Sequence, residues 1–281
     1  GTYDVVATDV NAGCSVTKTV TINEPTVLYV EISNTPILCF GGLSTITLAT
    51  ISGGTPPYSD QEGSTFTLGA GTYAILVSDA NNCENTTNLV ITEPAELVAT
   101  AAQDSPILCH GGTTSVTVSA TGGTGMLSGT GTFSGVGAGT YTYTVTDANG
   151  CTDEITITIT EPSAVGALAS ASAILCNGGS STVTVTGSGG TPPYTGTGSF
   201  MTIAGTHTYT VTDANGCSAT TSITISEPTA LAATATVTTP IACMGSSATV
   251  TVSATGGTAP YSGATTYSVV AGSYNYTVTD A

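Results

Sequence analysis

Apolar and polar residues alternate one by one along much of the chain, as in Ser115–Ala120, Thr140–Thr146 and Glu154–Thr160. Successive side chains of a strand point to opposite faces, so alternation at period two predicts half-buried strands rather than helices or solvated coil. Over residues 95–162 the pattern places a first strand near Leu97–Ala101 and a second at Ser115–Ala120. Two or three short strands follow in a Gly-, Thr- and Ser-rich middle, and Thr140–Thr146 and Glu154–Thr160 close the segment as a hairpin. Asp147-Ala148-Asn149-Gly150 makes its turn, because Asn and Gly tolerate positive φ. About seven short strands with frequent turn signals predict an all-β fold, an immunoglobulin-like, seven-strand Greek-key β-sandwich.

The pattern recurs. A Thr-Asp-Ala-Asn-like tetrapeptide has its Asp at Asp9, Asp79, Asp147, Asp213 and Asp280, at intervals of 70, 68, 66 and 67 residues. Glu-Pro pairs at Glu24-Pro25, Glu93-Pro94, Glu161-Pro162 and Glu227-Pro228 keep step with it. Self-similarity at this period predicts a tandem array of small domains, drawn out as an extended rod. The expected boundaries are 26–94, 95–162 and 163–228 for complete repeats. Residues 1–25 read as the last two strands of another repeat, and 229–281 as a repeat lacking its last strand. Excerpting from a longer array explains those partial repeats more simply than strand donation between subunits of a homopolymeric filament. Proline after each final strand donates no ladder hydrogen bond and favours an extended approach, which stiffens the junction.

Leu68-x-x-Gly71-x-Tyr73, Val136-x-x-Gly139-x-Tyr141 and Val269-x-x-Gly272-x-Tyr274 have the spacing of a tyrosine corner, with the hydroxyl bonded to upstream backbone. His207 takes the tyrosine place in one repeat, where a weaker corner is expected.

Composition narrows the function classes. Eighteen carboxylates face one cation, Lys18, for a formal charge of −17. Nucleic-acid binding needs clustered Lys or Arg to release counterions, and a polybasic contact with anionic lipid fails for the same reason. No apolar run reaches the ~18–20 residues that span a bilayer, so no membrane insertion is expected of this segment.

The combined motifs read Cys39-Phe40-Gly41-Gly42, Gly189-Gly190-Thr191-Pro192-Pro193-Tyr194 and Val211-Thr212-Asp213-Ala214-Asn215-Gly216-Cys217. Together they resemble the SprB-type repeat of very large cell-surface adhesins from gliding Bacteroidetes, and the resemblance runs along essentially the whole chain. Gly125-Met126-Leu127 departs from it where other repeats have Pro-Pro-Tyr. The resemblance implies an extracellular, cell-surface filament or adhesin exported by the type IX route, and implies no ligand.

Eight cysteines fall in two classes. Cys39, Cys109, Cys176 and Cys243 precede the second strand (the A–B loop, here the first loop), and Cys14, Cys83, Cys151 and Cys217 follow the hairpin turn (the F–G turn). Even number and regular spacing in an extracellular array predict disulfides. Two connectivities stay open. Bonds within a repeat would be Cys39–Cys83, Cys109–Cys151 and Cys176–Cys217. Bonds across repeats would be Cys39–Cys151 and Cys109–Cys217, with the other four cysteines paired outside the segment. Cross-repeat bonds suit a sandwich whose first loop and hairpin turn lie at opposite ends, because bridged Cα atoms lie within ~7 Å.

Glu93 with Asp147 and Asn149, and Glu161 with Asp213 and Asn215, are the candidates for calcium at the junctions. Calcium takes six to eight hard oxygens, whereas Asp-x-Asn-Gly is equally explained as turn chemistry. No other cofactor is implied. His110 and His207 lie in different repeats, and every motif recurs, so no enzyme is expected. The expected function is a disulfide-stabilised stalk or filament segment of an adhesin, with neighbouring repeats of the same or identical chains as partners. The alternatives are a carbohydrate- or surface-binding module using the Pro-Pro-Tyr loops, or a spacer of a larger secreted enzyme.

Overall fold

A computed structural model describes all 281 residues, as strands, turns and connecting segments without a helix. The backbone gathers into two compact units, one of residues 1–102, 116–133 and 140–157, the other of 103–115, 134–139 and 158–281.

In the first unit, β1 (Thr2–Thr8) and β2 (Ser15–Thr21) form an exposed hairpin. Next come β3 (Tyr29–Asn34), β4 (Ser44–Ser52) and β5 (Thr65–Leu68), an antiparallel sheet with β4 in the middle. β6 (Gly71–Ser78) and β7 (Glu84–Ile91) form a second hairpin, in register from Gly71 opposite Ile91 to Ser78 opposite Glu84. Ser59 N–H donates to the Ser78 carbonyl at 2.7 Å, adding one rung beyond the ladder. Alternation supplies the core: Leu28, Val30, Leu48, Ile51 and Val77 meet with Tyr58 and Phe66 packed against them. Ile37, Ile46 and Ile91 form a second cluster. Full burial of each aliphatic side chain contributes about 2 kcal/mol.

The plan recurs in β8 (Val98–Gln103), β9 (Thr114–Thr121), β10 (Gly131–Val136), β11 (Gly139–Thr146) and β12 (Thr152–Ile159). In the second unit it recurs in β13 (Gly166–Ala171), β14 (Ser181–Ser188), β15 (Gly198–Thr202), β16 (Gly205–Thr212) and β17 (Ser218–Ile225). Ile174, Val183, Val185, Val211 and Ile225 form the core there. β18 (Ala232–Thr239), β19 (Ala248–Thr255) and β20 (Thr266–Val269) repeat the three-stranded sheet.

Each full set therefore has five strands, not the seven expected, and the middle segment is mostly turn. Positive φ at Gly122, Gly123, Gly125 and Gly129 breaks extended backbone there, and proline withdraws donors at Pro56-Pro57 and Pro192-Pro193. What remains of a middle strand is one isolated bridge, Ser128 to Thr146 and Thr195 to Thr212 on the hairpins and Ser262 to Thr279 after β20. Tyr58, Tyr194 and Tyr261 fold back from these loops and donate to the Gly53, Gly189 and Gly256 carbonyls at 2.7, 2.5 and 2.6 Å.

The tyrosine corner holds where Tyr73 donates to Gly69 and Tyr274 to Val270, at 3.3 and 3.1 Å. His207 keeps the same link, with Nε2 3.0 Å from the Ile203 carbonyl. The same nitrogen also lies 3.0 Å from the Thr202 hydroxyl, so the imidazole keeps a polar link at the corner.

Candidate functional site

Two pieces of irregular backbone recur, and each carries a cysteine. The hairpin turn is organised by its aspartate. Asp147 Oδ1 accepts the N–H groups of Asn149 and Cys151, both at 2.9 Å. Its Oδ2 accepts the Thr124 N–H at 2.8 Å, tying the turn to the Gly122-Gly123 loop. Asp79 does the same with Asn81, Cys83 and Thr55, and Asp213 with Asn215, Cys217 and Thr191. All three carboxylates are buried.

Donated hydrogen bonds stabilise the ionised form, so all three acids sit below the ordinary carboxylate range. At Asp79 the Cys83 N–H is the largest cause and the Thr55 N–H the next. At Asp213 the Thr191 N–H leads. At Asp147 burial is the largest single effect and pushes upward, but the donors from Cys151, Thr124 and Asn149 together outweigh it.

The first loop is held from the other direction. Cys39 carbonyl accepts the Gly42 N–H at 3.0 Å, and the exposed Gly41 N–H donates to Glu93 Oε2 at 2.7 Å. Gly111 donates likewise to Glu161 at 2.6 Å, and Gly178 to Glu227 at 2.7 Å. Glu93, Glu161 and Glu227, each from a Glu-Pro pair, thus anchor the Cys-x-Gly-Gly loop of their own repeat. Behind that loop the Ser181 hydroxyl donates to the Ser172 carbonyl at 2.6 Å, closing its base.

The structure brings the two pieces together across repeats. Cys39 is bonded to Cys151 and Cys109 to Cys217, each with Cα atoms 5.7 Å apart and with sequence separations of 112 and 108. That spacing lies within the ordinary disulfide range. Beside each bond an asparagine adds a polar contact: Asn149 Nδ2 donates to the Leu38 carbonyl at 3.0 Å, and Asn215 Nδ2 to Leu108 at 3.2 Å. The within-repeat bonds Cys39–Cys83, Cys109–Cys151 and Cys176–Cys217 are not formed. Cys14, Cys83, Cys176 and Cys243 are exposed thiols.

The calcium candidates do not converge. Glu93 is turned to Gly41 and Glu161 to Gly111, while Asp147 and Asp213 spend both oxygens on backbone N–H groups. Asn149 and Asn215 point their side-chain N–H groups at carbonyls of the preceding repeat. No group of three or more acidic, His or Cys side chains is placed to hold a metal ion.

Sequence reasoning missed the glutamate anchor, whose only signal is that Glu-Pro and Cys-x-Gly-Gly occur together in each of the three complete repeats. It also missed the contact of His110 Nδ1 with Glu161 Oε1 at 3.0 Å, which adds a second hold on that loop. Phe40 and Asn177 stand at the His110 place in other repeats, so the pair is a local elaboration of the anchor.

Residues 235–262 match the family model of the SprB repeat. Over that stretch the chain is similar to a SprB repeat. The matched stretch runs through β18 and β19 and contains Cys243, Gly256-Gly257 and Pro260-Tyr261. Those positions recur as Cys39, Gly53-Gly54 and Pro57-Tyr58, and as Cys176, Gly189-Gly190 and Pro193-Tyr194. The matched SprB segment is therefore the part that presents the first-loop cysteine. The matched family is a structural repeat. No curated protein matches the chain.

Proposed function

We propose that this chain is a stalk segment of an extracellular, cell-surface adhesin, built of immunoglobulin-like sandwiches over residues 26–94, 95–162 and 163–228 with partial repeats on either side. One observation carries the reading: each disulfide joins one repeat to the next rather than closing a repeat on itself. A binding or catalytic module gains little from such bonds, whereas a load-bearing array gains continuity that survives the opening of a single repeat. The bonds also fit an oxidising, extracellular setting. The SprB repeat supports a surface-adhesin context. The formal charge of −17 keeps a high-copy array soluble and self-repelling.

Immunogold imaging of intact cells with an antibody against residues 163–228 tests the reading. Label along surface filaments is expected. Label confined to a soluble secreted enzyme would make these repeats a spacer and overturn it.

A further inference from the structure

The two cross-repeat bonds share their local geometry and differ in the charges around them. In each, the hairpin-turn sulfur lies 3.4 Å from the carbonyl before the first-loop cysteine, Leu38 or Leu108. All four bonded cysteines are half-buried, and each bond borders a cavity open to solvent. Beside Cys39–Cys151 the cavity is about 360 Å³, and Phe40, Glu96, Leu97 and Asp153 help to line it. Asp153 Oδ2 accepts the Ala99 N–H at 2.8 Å, which holds that carboxylate in place. Beside Cys109–Cys217 the cavity is about 270 Å³, lined by His110, Ala164, Val165 and Ser218. Counted from the Glu-Pro pair, Ala164 stands where Glu96 does. Counted from the hairpin-turn cysteine, Ala219 stands where Asp153 does. The anchoring glutamate is common to both loops, as Glu93 and Glu161, so it does not separate them.

We infer that the Cys109–Cys217 bond is an exchange site for anionic low-mass thiols, from which Glu96 and Asp153 shield Cys39–Cys151. The attacking species in exchange is a thiolate, so a thiol with a second anionic group approaches as a dianion. Two carboxylates on the cavity wall repel it, and at low salt their field is barely screened. Room alone argues for the opposite order, because the larger cavity lies beside Cys39–Cys151. Charge and space therefore predict different bonds to open first. The inference concerns the two bonds and does not rest on the cell-surface reading.

The chemistry balances as thiol–disulfide exchange. The thiolate bonds to one sulfur of the pair, and the other leaves as a thiolate that takes a proton from water. A second thiolate then attacks the low-mass sulfur of that mixed disulfide and expels the remaining protein thiolate. One protein disulfide and two low-mass thiols become two protein thiols and one low-mass disulfide.

The test uses the full chain with Cys14→Ser, Cys83→Ser, Cys176→Ser and Cys243→Ser, all at exposed positions, so that only the two bonds react. Two thiols of equal carbon length are compared at one pH and about 0.01 M salt, where the Debye length is about 30 Å. Mercaptoethanesulfonate attacks as a dianion, whereas the cysteamine thiolate carries a compensating ammonium. Timed alkylation and peptide mapping read the opening of each bond. With the sulfonate, Cys109–Cys217 is expected to open about tenfold faster than Cys39–Cys151. With cysteamine, or with the sulfonate in about 1 M salt, the two rates should agree within about twofold. Glu96→Gln should narrow the sulfonate ratio to about threefold by speeding Cys39–Cys151, and Ala164→Glu should narrow it as much by slowing Cys109–Cys217. Both side chains are exposed, and a far-UV spectrum matching the parent certifies the fold. Equal rates with the sulfonate, faster opening of Cys39–Cys151, the same ratio with cysteamine, or a ratio indifferent to both variants would overturn the inference.

Discussion

At the scale of single residues the aspartate of the hairpin turn does most to shape the junction. Asp147 draws the Cys151 N–H inward and thereby sets the direction of the sulfur that crosses to Cys39. Its depressed folded pKa makes stability depend on pH with a definite sign. The unfolded chain binds this proton near the ordinary value of 3.8, and the folded chain binds it only at lower pH. The stabilisation is therefore complete above about 4 and drains away as pH falls through the folded value. Asp79 and Asp213 share that sign. Thermal melts of the wild-type chain should be flat from neutral pH to about 5 and decline steeply below about 4. Asp147→Asn should lower the neutral melting temperature, because an amide nitrogen cannot accept the Thr124 N–H, and should make the acid decline shallower. An unchanged acid limb in that variant would show that Asp147 is not among the groups responsible. The sequence displayed this aspartate as turn chemistry, since Asp-x-Asn-Gly advertises the contacts to its own neighbours. The contact to Thr124 was invisible because it spans 23 residues and leaves no local pattern.

At the scale of elements, the strongly alternating segments were legible and the middle of each repeat was not. Thr140–Thr146 was expected as a strand and β11 covers Gly139–Thr146, because one buried face fixes the register of alternating residues. The middle segment lacks such a face, so its composition said only that turns are frequent, and five strands form where seven were expected. The Gly-Gly pairs that open this segment have a packing reason beyond turn making. A Cβ on Gly190 would lie 2.5 Å from Asp213 Oδ2 and 2.6 Å from Val165 Cγ2, at a φ of +56°. Gly190→Ala thus combines left-handed strain with a clash against the carboxylate that positions Cys217, at a cost of about 3 kcal/mol. Gly216 also has positive φ, +85°, but a Cβ there meets nothing within 4 Å. Gly216→Ala should cost only about 1 kcal/mol, the strain alone. Paired denaturant titrations read the difference, and equal losses would mean that the close approach at Gly190 relaxes freely.

At the scale of the whole molecule, the cysteine connectivity decides how force travels, and spacing in the sequence left two connectivities open. Both gave each class of cysteine a partner of the other class, and only the three-dimensional meeting of a first loop with the next hairpin turn separates them. With Cys39 bonded to Cys151 and Cys109 to Cys217, the two closed loops interlock along the chain. Pulled from its ends, the oxidised chain carries tension from residue 39 across the first bond to 151, back along the backbone to 109, and across the second bond to 217. That route contains 42 residues (151 − 109), whereas the backbone from 39 to 217 contains 178 (217 − 39). The 136 residues withheld would each add about 3.5 Å when extended, so reduction should lengthen the fully stretched chain by about 480 Å. Single-molecule stretching before and after a thiol reductant measures this directly. Bonds confined within repeats would withhold Cys39–Cys83, Cys109–Cys151 and Cys176–Cys217 as three separate segments of 44, 42 and 41 residues. The total gain would then be near 450 Å, but released in three independent steps, each ending when one reduced repeat opens. Interlocked bonds instead make the steps depend on order: cutting Cys39–Cys151 alone frees tension to run from 39 to 109 and leaves the second loop still shielded. Double steps whose size changes with which bond breaks first are therefore the signature of a strap that spans repeats, and three equal, independent steps would contradict it.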